Sequence, residues 1–278
     1  MTPSATENAA NLVSAGGGAL EFAARFAESL QNPMMLPAGA NEWNCKHCKV
    51  RPYPVVLIHG TWENAYNAWS GLVPVLKAEG HCVFALNFGA FETDVLKGRN
   101  AIRESSIEVA NFVDKVLKST GASKVNIVGH SQGGGVLPRW YLKYGGGAGK
   151  VNHLVGISPS NHGTTVSGLA VLENTFHLLS PILTAAGPAT GDQLINSAVN
   201  STLDAPHDTV ENVNYTTIVS RSDEIVTPFT RQYLTAGPGA MVDNLTLQDF
   251  DPLDVTNHLG TLYNNTVYDL VLNALSVP

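Results

Sequence analysis

The sequence predicts an α/β fold, a mainly parallel sheet with helices on both faces. Three observations predict it. Short all-apolar runs recur between residues 54 and 219. Helix-length segments with helical apolar spacing alternate with them. The 278 residues are 44% hydrophobic yet only 14% charged, as suits a sheet buried on both sides. The low charge also excludes a disordered chain and a Glu/Lys-rich coiled coil. A net charge of −7 with no Lys/Arg cluster gives a nucleic acid no footing. No stretch approaches the ~18 consecutive apolar residues of a membrane span.

The elements follow in order. Residues 1–50 read as a lead segment, with one amphipathic helix over Leu20–Leu30 broken up by Pro33, Pro37 and Gly39. Residues 51–278 read as a single domain. Strands are expected at Pro54–Ile58, His81–Leu86, Lys124–Val128, Val151–Ile157 and Val213–Val219, because each is a short, nearly continuous apolar run. Helical spacing falls on Trp69–Ala78, Ile102–Lys118, Gln132–Tyr144 and Leu259–Leu275. One interval breaks the alternation. Thr164–Ala205 has no strand pattern, and its only charged residues are Glu173, Asp192 and Asp204. Its apolar clusters have helix-like spacing, and it follows a strand end, where the crevice of an α/β sheet lies. It reads as a helical cap.

Gly129-His130-Ser131-Gln132-Gly133 is a G-x-S-x-G string between an apolar strand and a helical segment. In that setting the serine sits on a strained turn, and the glycines avoid a clash with neighbouring backbone. A serine hydroxyl needs a base, and the order in this architecture is Ser, acid, His. Asp223 follows one strand; His258 follows Leu245–Asp249 and precedes the last helix. Glu224 is the second choice of acid, pointing away from the side on which Asp223 lies. Asp251 and Asp254 belong to the His258 loop and read as capping or solvating groups, with Ca²⁺ binding the less favoured role. Among the other histidines, His130 reads as buried and hydrogen-bonded, and His59 and His162 as braces of their loops. His177 and His207 fall in or near the cap. The oxyanion formed in acyl transfer needs backbone N–H donors. The residue after the nucleophile, Gln132, offers one, and Thr61, in the loop His59-Gly60-Thr61-Trp62 after the first strand, offers the other. No cofactor or metal is called for. A Cys45/Cys48/Cys82 metal site completed by His47 or His81 is conceivable from the spacing, and it is not favoured.

Together, His59-Gly60-Thr61, Gly129-His-Ser-Gln-Gly-Gly134, Ser158-Pro-Ser-Asn-His-Gly-Thr164, Asp223 and Asn257-His258-Leu-Gly resemble the α/β-hydrolase lipases of bacteria, most of all the secreted "class 2" triacylglycerol lipases typical of actinobacteria. The resemblance covers about residues 40–276. It implies an α/β-hydrolase fold and a cofactor-free ester hydrolase acting on water-insoluble acyl esters, with Ser131, Asp223 and His258 as its triad. It implies secretion too. Met1–Gln31 has no basic start followed by an apolar run, so a leader would be absent from this chain. In the resembled family a cysteine before the first core strand pairs with one in the next strand, which would be Cys45–Cys82 with Cys48 left over; sequence leaves Cys48–Cys82 open. A carboxylesterase and a polyester hydrolase share this machinery and are the alternatives. A peptidase of the same fold and a non-catalytic binding scaffold are more remote. Oligomeric state is not legible.

Overall fold

Six parallel strands form one sheet in the order β2-β1-β3-β4-β5-β6. The computed structural model describes residues 5–46, 49–179 and 187–276. The strands are β1 (Val55–Ile58), β2 (Val83–Leu86), β3 (Val125–His130), β4 (Val151–Ile157), β5 (Asn214–Val219) and β6 (Met241–Thr246). Their side chains alternate between two cores. Val55, Leu57, Val83 and Ala85 face one side; Val56, Ile58, Phe84 and Leu86 face the other. That two-sided burial is why these runs carry no polar alternation.

The helices are α1 (Ala5–Ser29), α2 (Ala65–Trp69), α3 (Leu72–Ala78), α4 (Ile102–Thr120), α5 (Val136–Tyr144), α6 (Val166–Leu179), α7 (Pro188–Asp192), α8 (Ala198–Asp204), α9 (Leu247–Phe250) and α10 (Asn265–Ser276). Residues of α1, α2, α3 and α10 enter one core, and residues of α4, α5 and α8 enter the other.

Several elements depart from the expected boundaries for local reasons. The segment Trp69–Ala78 is two helices, because Pro74 in the first turn of α3 has no N–H to offer the preceding turn. Gln132–Tyr144 begins as a 3-10 turn (Ser131–Gly134), and the α-helix starts only after Gly135. Leu259–Leu275 is likewise a 3-10 turn followed by α10; extended Asn264 separates them, and its side chain accepts from Val267 N–H at 3.1 Å. Leu245–Asp249 is split between the end of β6 and α9.

The helix expected over Leu20–Leu30 starts at Ala5 and runs through Gly16–Gly18. Gly18 has a packing reason. A Cβ on Gly18 would lie 2.6 Å from the Gly260 carbonyl oxygen, so only glycine lets α1 come this close to the loop after His258. Phe22 and Phe26, one helical turn apart, are both buried in the core below. Cys45 and Cys82 form a disulfide that ties the lead segment to the start of β2, so those two thiols are not available to a metal. His47 and Cys48 lie outside the described residues.

Candidate active site

Chain order places β2 on one side of β1 and β3 on the other, so the strand order reverses between β1 and β3 while all strands stay parallel. Ligands of open α/β sheets bind beyond the carboxyl ends of the strands at such a point. Here the loop His59–Trp62 leaves β1 and Ser131 leaves β3, side by side.

Ser131 has φ +54°, a left-handed value that a side-chain-bearing residue adopts only when its surroundings enforce it. The enforcement is steric. A Cβ on Gly129 would overlap the Gly133 carbonyl, and one on Gly133 would overlap the carbonyl oxygens of Ile58 and His59. The glycines expected to permit the turn therefore do so against backbone, which cannot swing aside. A Cβ on Gly60 would come within 2.9 Å of the Ser131 Cβ, so the loop after β1 lies directly against the serine.

Asp223, in the turn after β5, and His258, before the 3-10 turn that precedes α10, are brought together. The His258 Nδ1–H donates to Asp223 Oδ2 at 2.8 Å, with both side chains buried. The other oxygen of Asp223 accepts from the N–H groups of Ile225 (2.9 Å) and Val226 (2.8 Å), and Gln232 Nε2 donates to Oδ2 at 2.9 Å. Burial raises the Asp223 pKa, but the His258 charge and these hydrogen bonds outweigh it, so the carboxyl is held below its usual range. For His258 burial acts downward, while the Asp223 charge and hydrogen bond, aided by Glu224 and Glu63, carry the imidazole above its usual value. The His258 Nε2 is buried without a hydrogen-bond partner. The His258 ring lies 4.6 Å from that of His130, the residue before Ser131. Thr61 and Gln132 are buried, and Gln193 Nε2 donates to the Thr61 hydroxyl at 2.7 Å.

The second-choice acid has another task. Glu224 points its carboxylate at the His258 backbone N–H and the Asn257 amide, both at 3.2 Å, and does not reach the imidazole Nδ1. Asp251 and Asp254 accept from the N–H groups of Leu253 and Thr256, which is loop capping. His59 braces its loop, with Nδ1–H donating to Gly60 O at 2.8 Å and its ring stacked on Phe88. Sequence reasoning missed Gln232 and Glu63. Glu63 is buried, accepts from Gly60 N–H at 2.7 Å and faces His130 Nδ1 at 2.7 Å. Burial raises its pKa, but the His130 charge and both hydrogen bonds bring the net direction down. The one signal was its place as the single charged residue between Arg51 and Lys77.

His162 packs with Asp204 and Asp208, close enough for a shared cation. The Arg139 guanidinium already supplies one, 3.3 Å from Asp204 and 3.5 Å from Asp208. Burial lowers the His162 pKa, but hydrogen bonds to Asp204 and Asp208 outweigh it, and the imidazole is pushed up to about 9. A raised folded-state pKa stabilises fully below the unfolded value of about 6.5, and the contribution disappears as pH climbs to about 9. That is up to about 3 kcal/mol. A Tm series from pH 6 to 9.5 is expected to fall in the wild type and to lose that part of the fall in His162→Gln. The side chains of residues 176–179, His177 included, lie outside the described residues. His207 takes no part in the site; its carbonyl accepts from Lys143.

With the geometry in place, comparison with known proteins is decisive on family. The model of a family described as the alpha/beta hydrolase fold matches residues 53–203, just over half of the chain. The chain belongs to the alpha/beta hydrolase family. Two triacylglycerol lipases, from Pseudarthrobacter phenanthrenivorans and Burkholderia plantarii, are each 38% identical over 87 residues. That covers 30% of this chain and 26% and 23% of theirs, so the match spans about a quarter of those relatives. Among solved alpha/beta hydrolase structures, Aspergillus fumigatus lipase B superposes with a TM-score of 0.68 at 25% identity, covering 89% of this chain and 57% of that one. A Bacillus licheniformis lipase in its mature form superposes with a TM-score of 0.60 at 15% identity over 83% of this chain and 94% of its own, a likeness of fold. No helix among the described residues is long and apolar enough to cross a membrane.

Proposed function

We propose that this alpha/beta hydrolase is a serine carboxylic ester hydrolase and, within that class, a triacylglycerol lipase. The observation that carries the reading is the buried Asp223–His258 pair, with a partnerless Nε2 and a ring 4.6 Å from that of His130, the residue before the strained turn at Ser131. In this reading Ser131 Oγ attacks the ester carbonyl carbon as His258 Nε2 takes its proton. Asp223 holds the imidazole in the tautomer with the proton on Nδ1. The oxyanion is bound by the N–H groups of Thr61 and Gln132, each such donor contributing about 3–4 kcal/mol in comparable enzymes. Collapse expels the alcohol with the proton from His258, leaving an acyl-enzyme. Water then attacks the acyl carbon and gives a proton to His258, which passes it to Ser131 Oγ as the acyl–oxygen bond breaks and the acid leaves.

The lipase assignment rests on the relatives named above and on the interval 164–205, which we read as the cap. Its described part is helical, and Gln193 within it reaches Thr61. Ser131 is only 4% exposed, as suits a nucleophile sheltered from water until ester arrives. We also read the protein as extracellular and working at a lipid–water interface. The Cys45–Cys82 disulfide supports an oxidising compartment.

Rates on short- and long-chain p-nitrophenyl esters, an emulsified triglyceride and a polyester film test the assignment. Turnover of the emulsion and of long acyl chains is the expected result. Activity confined to short esters would make the protein a carboxylesterase, and film erosion a polyester hydrolase. On any cleaved ester, kcat/KM is expected to fall on the acid side through a midpoint above that of a free imidazole, because His258 is raised and works only when neutral. A flat profile down to about pH 4 would remove His258 as the base.

A further inference from the structure

Behind the Asp223–His258 pair stands a second buried carboxylate and imidazole. Glu63 and His130 are 1% and 0% exposed. The two oxygens of Glu63 are divided between two elements. Oε2 accepts from the N–H of Gly60, the residue before Thr61, and Oε1 meets His130 Nδ1, each at 2.7 Å. The other nitrogen of His130 meets the carbonyl oxygen of His258 at 3.1 Å. Both ring nitrogens thus face oxygens. A carbonyl oxygen cannot donate, so Nε2 carries a proton, and a second proton lies between Nδ1 and Oε1. The chain Gly60 N–H, Glu63, His130, His258 C=O is then satisfied at every link. It joins the loop of one proposed oxyanion donor to the backbone of the base, through the residue next to the nucleophile.

We propose that Glu63 and His130 are positioning residues of the hydrolytic step, a buried clamp that fixes the Gly60–Thr61 loop and His258 relative to Ser131. The proposal rests on the ester-hydrolase reading of Ser131. Other contacts leave it this task. Asp223 holds the far side of the His258 ring, and Glu224 holds the His258 backbone N–H. The His258 carbonyl is held by His130 and by the Thr261 hydroxyl, at 2.6 Å. The Gly60 N–H is held by Glu63, whose carboxylate and the Ser131 Cβ crowd the same side of Gly60.

Glu63→Gln keeps every link, because the amide oxygen accepts from Gly60, the amide N–H donates to His130 Nδ1, and Nε2–H still donates to His258. It is expected to retain kcat within about fivefold. Glu63→Ala cuts the clamp. It is expected to lose about 10²-fold in kcat per active site on p-nitrophenyl butyrate with KM within about twofold, the effect of a displacement near 1 Å. Sites are counted by the burst of p-nitrophenol, so a partly folded preparation does not mimic the loss. The double variant Glu63→Leu/His130→Phe, which removes both polar partners and leaves no buried charge unpaired, covers the case in which Glu63→Ala does not fold. It is expected to show the same kcat loss.

A kcat within about threefold of wild type in Glu63→Ala or in the double variant would overturn the clamp. So would a loss in Glu63→Gln as large as in Glu63→Ala. Failure of the ester-hydrolase reading looks different: wild type without turnover, or Ser131→Ala with full turnover.

Discussion

Ser131→Ala is expected to lower kcat on any ester the protein cleaves by about 10⁶-fold, to the level left by oxyanion binding alone. The loss follows from position. The Ser131 hydroxyl is the proposed nucleophile, next in the chain to His130, whose ring lies 4.6 Å from that of His258, and no second hydroxyl follows it in Gln132-Gly133-Gly134. The fold is expected to survive, with a stability change within about 1 kcal/mol, because alanine fills the same volume without the hydroxyl. Ser131→Gly is the more informative control. It is equally inactive, yet it removes a side chain held at φ +54°. Relief of about 1 kcal/mol of backbone strain offsets the greater freedom of glycine in the unfolded chain, so its Tm is expected at or above that of Ser131→Ala. Equal ester turnover in wild type and Ser131→Ala would remove the proposed function.

How much of this was visible in the sequence depended on whether a residue acts where its own chain segment places it. β4 falls on Val151–Ile157 as read from the sequence, because the buried run Leu154–Ile157 has no polar side chain and Asn152 and His153 interrupt the pattern only at its start. Ser131, Asp223 and His258, the residues proposed for the chemistry, were legible because each follows a strand or opens a helix, where the crevice of such a sheet lies. β6 was only half legible. It is an edge strand exposed over most of its length, with Asp243 and Asn244 in its middle. Glu63 and Gln232 were missed for a different reason. Each bonds a residue outside its own element, Glu63 to His130 far along the chain and Gln232 back to Asp223 in the preceding turn, and no periodicity encodes such pairs. The close contact of Gly18 was not legible, because its partner Gly260 lies more than 200 residues away.

Gly133→Ala is expected to damage both stability and activity, and by one displacement. A methyl group at residue 133 would overlap the carbonyl oxygens of Ile58 and His59. Both are backbone atoms at the buried end of β1, so no side-chain rotation relieves the clash. The elbow or the end of β1 must move instead, at a cost of about 1–3 kcal/mol for the overpacking. The movement separates the two loops that the proposed chemistry needs together, since Thr61 follows β1 and Gln132 follows Ser131. A shift near 1 Å between oxyanion donors and nucleophile is worth about 10²-fold in kcat. Gly149→Ala is the matched control. Nothing lies within 4 Å of the Cβ it would carry, and its φ is not left-handed. It is expected to keep full activity and to change stability by less than about 1 kcal/mol, in the stabilising direction because alanine has less freedom to lose on folding. Thermal melts with kcat measured per burst-titrated site separate the two effects. If Gly133→Ala matched Gly149→Ala in both, the backbone at the elbow would have to yield more easily than its neighbours allow, and the steric account of the Ser131 turn would fail.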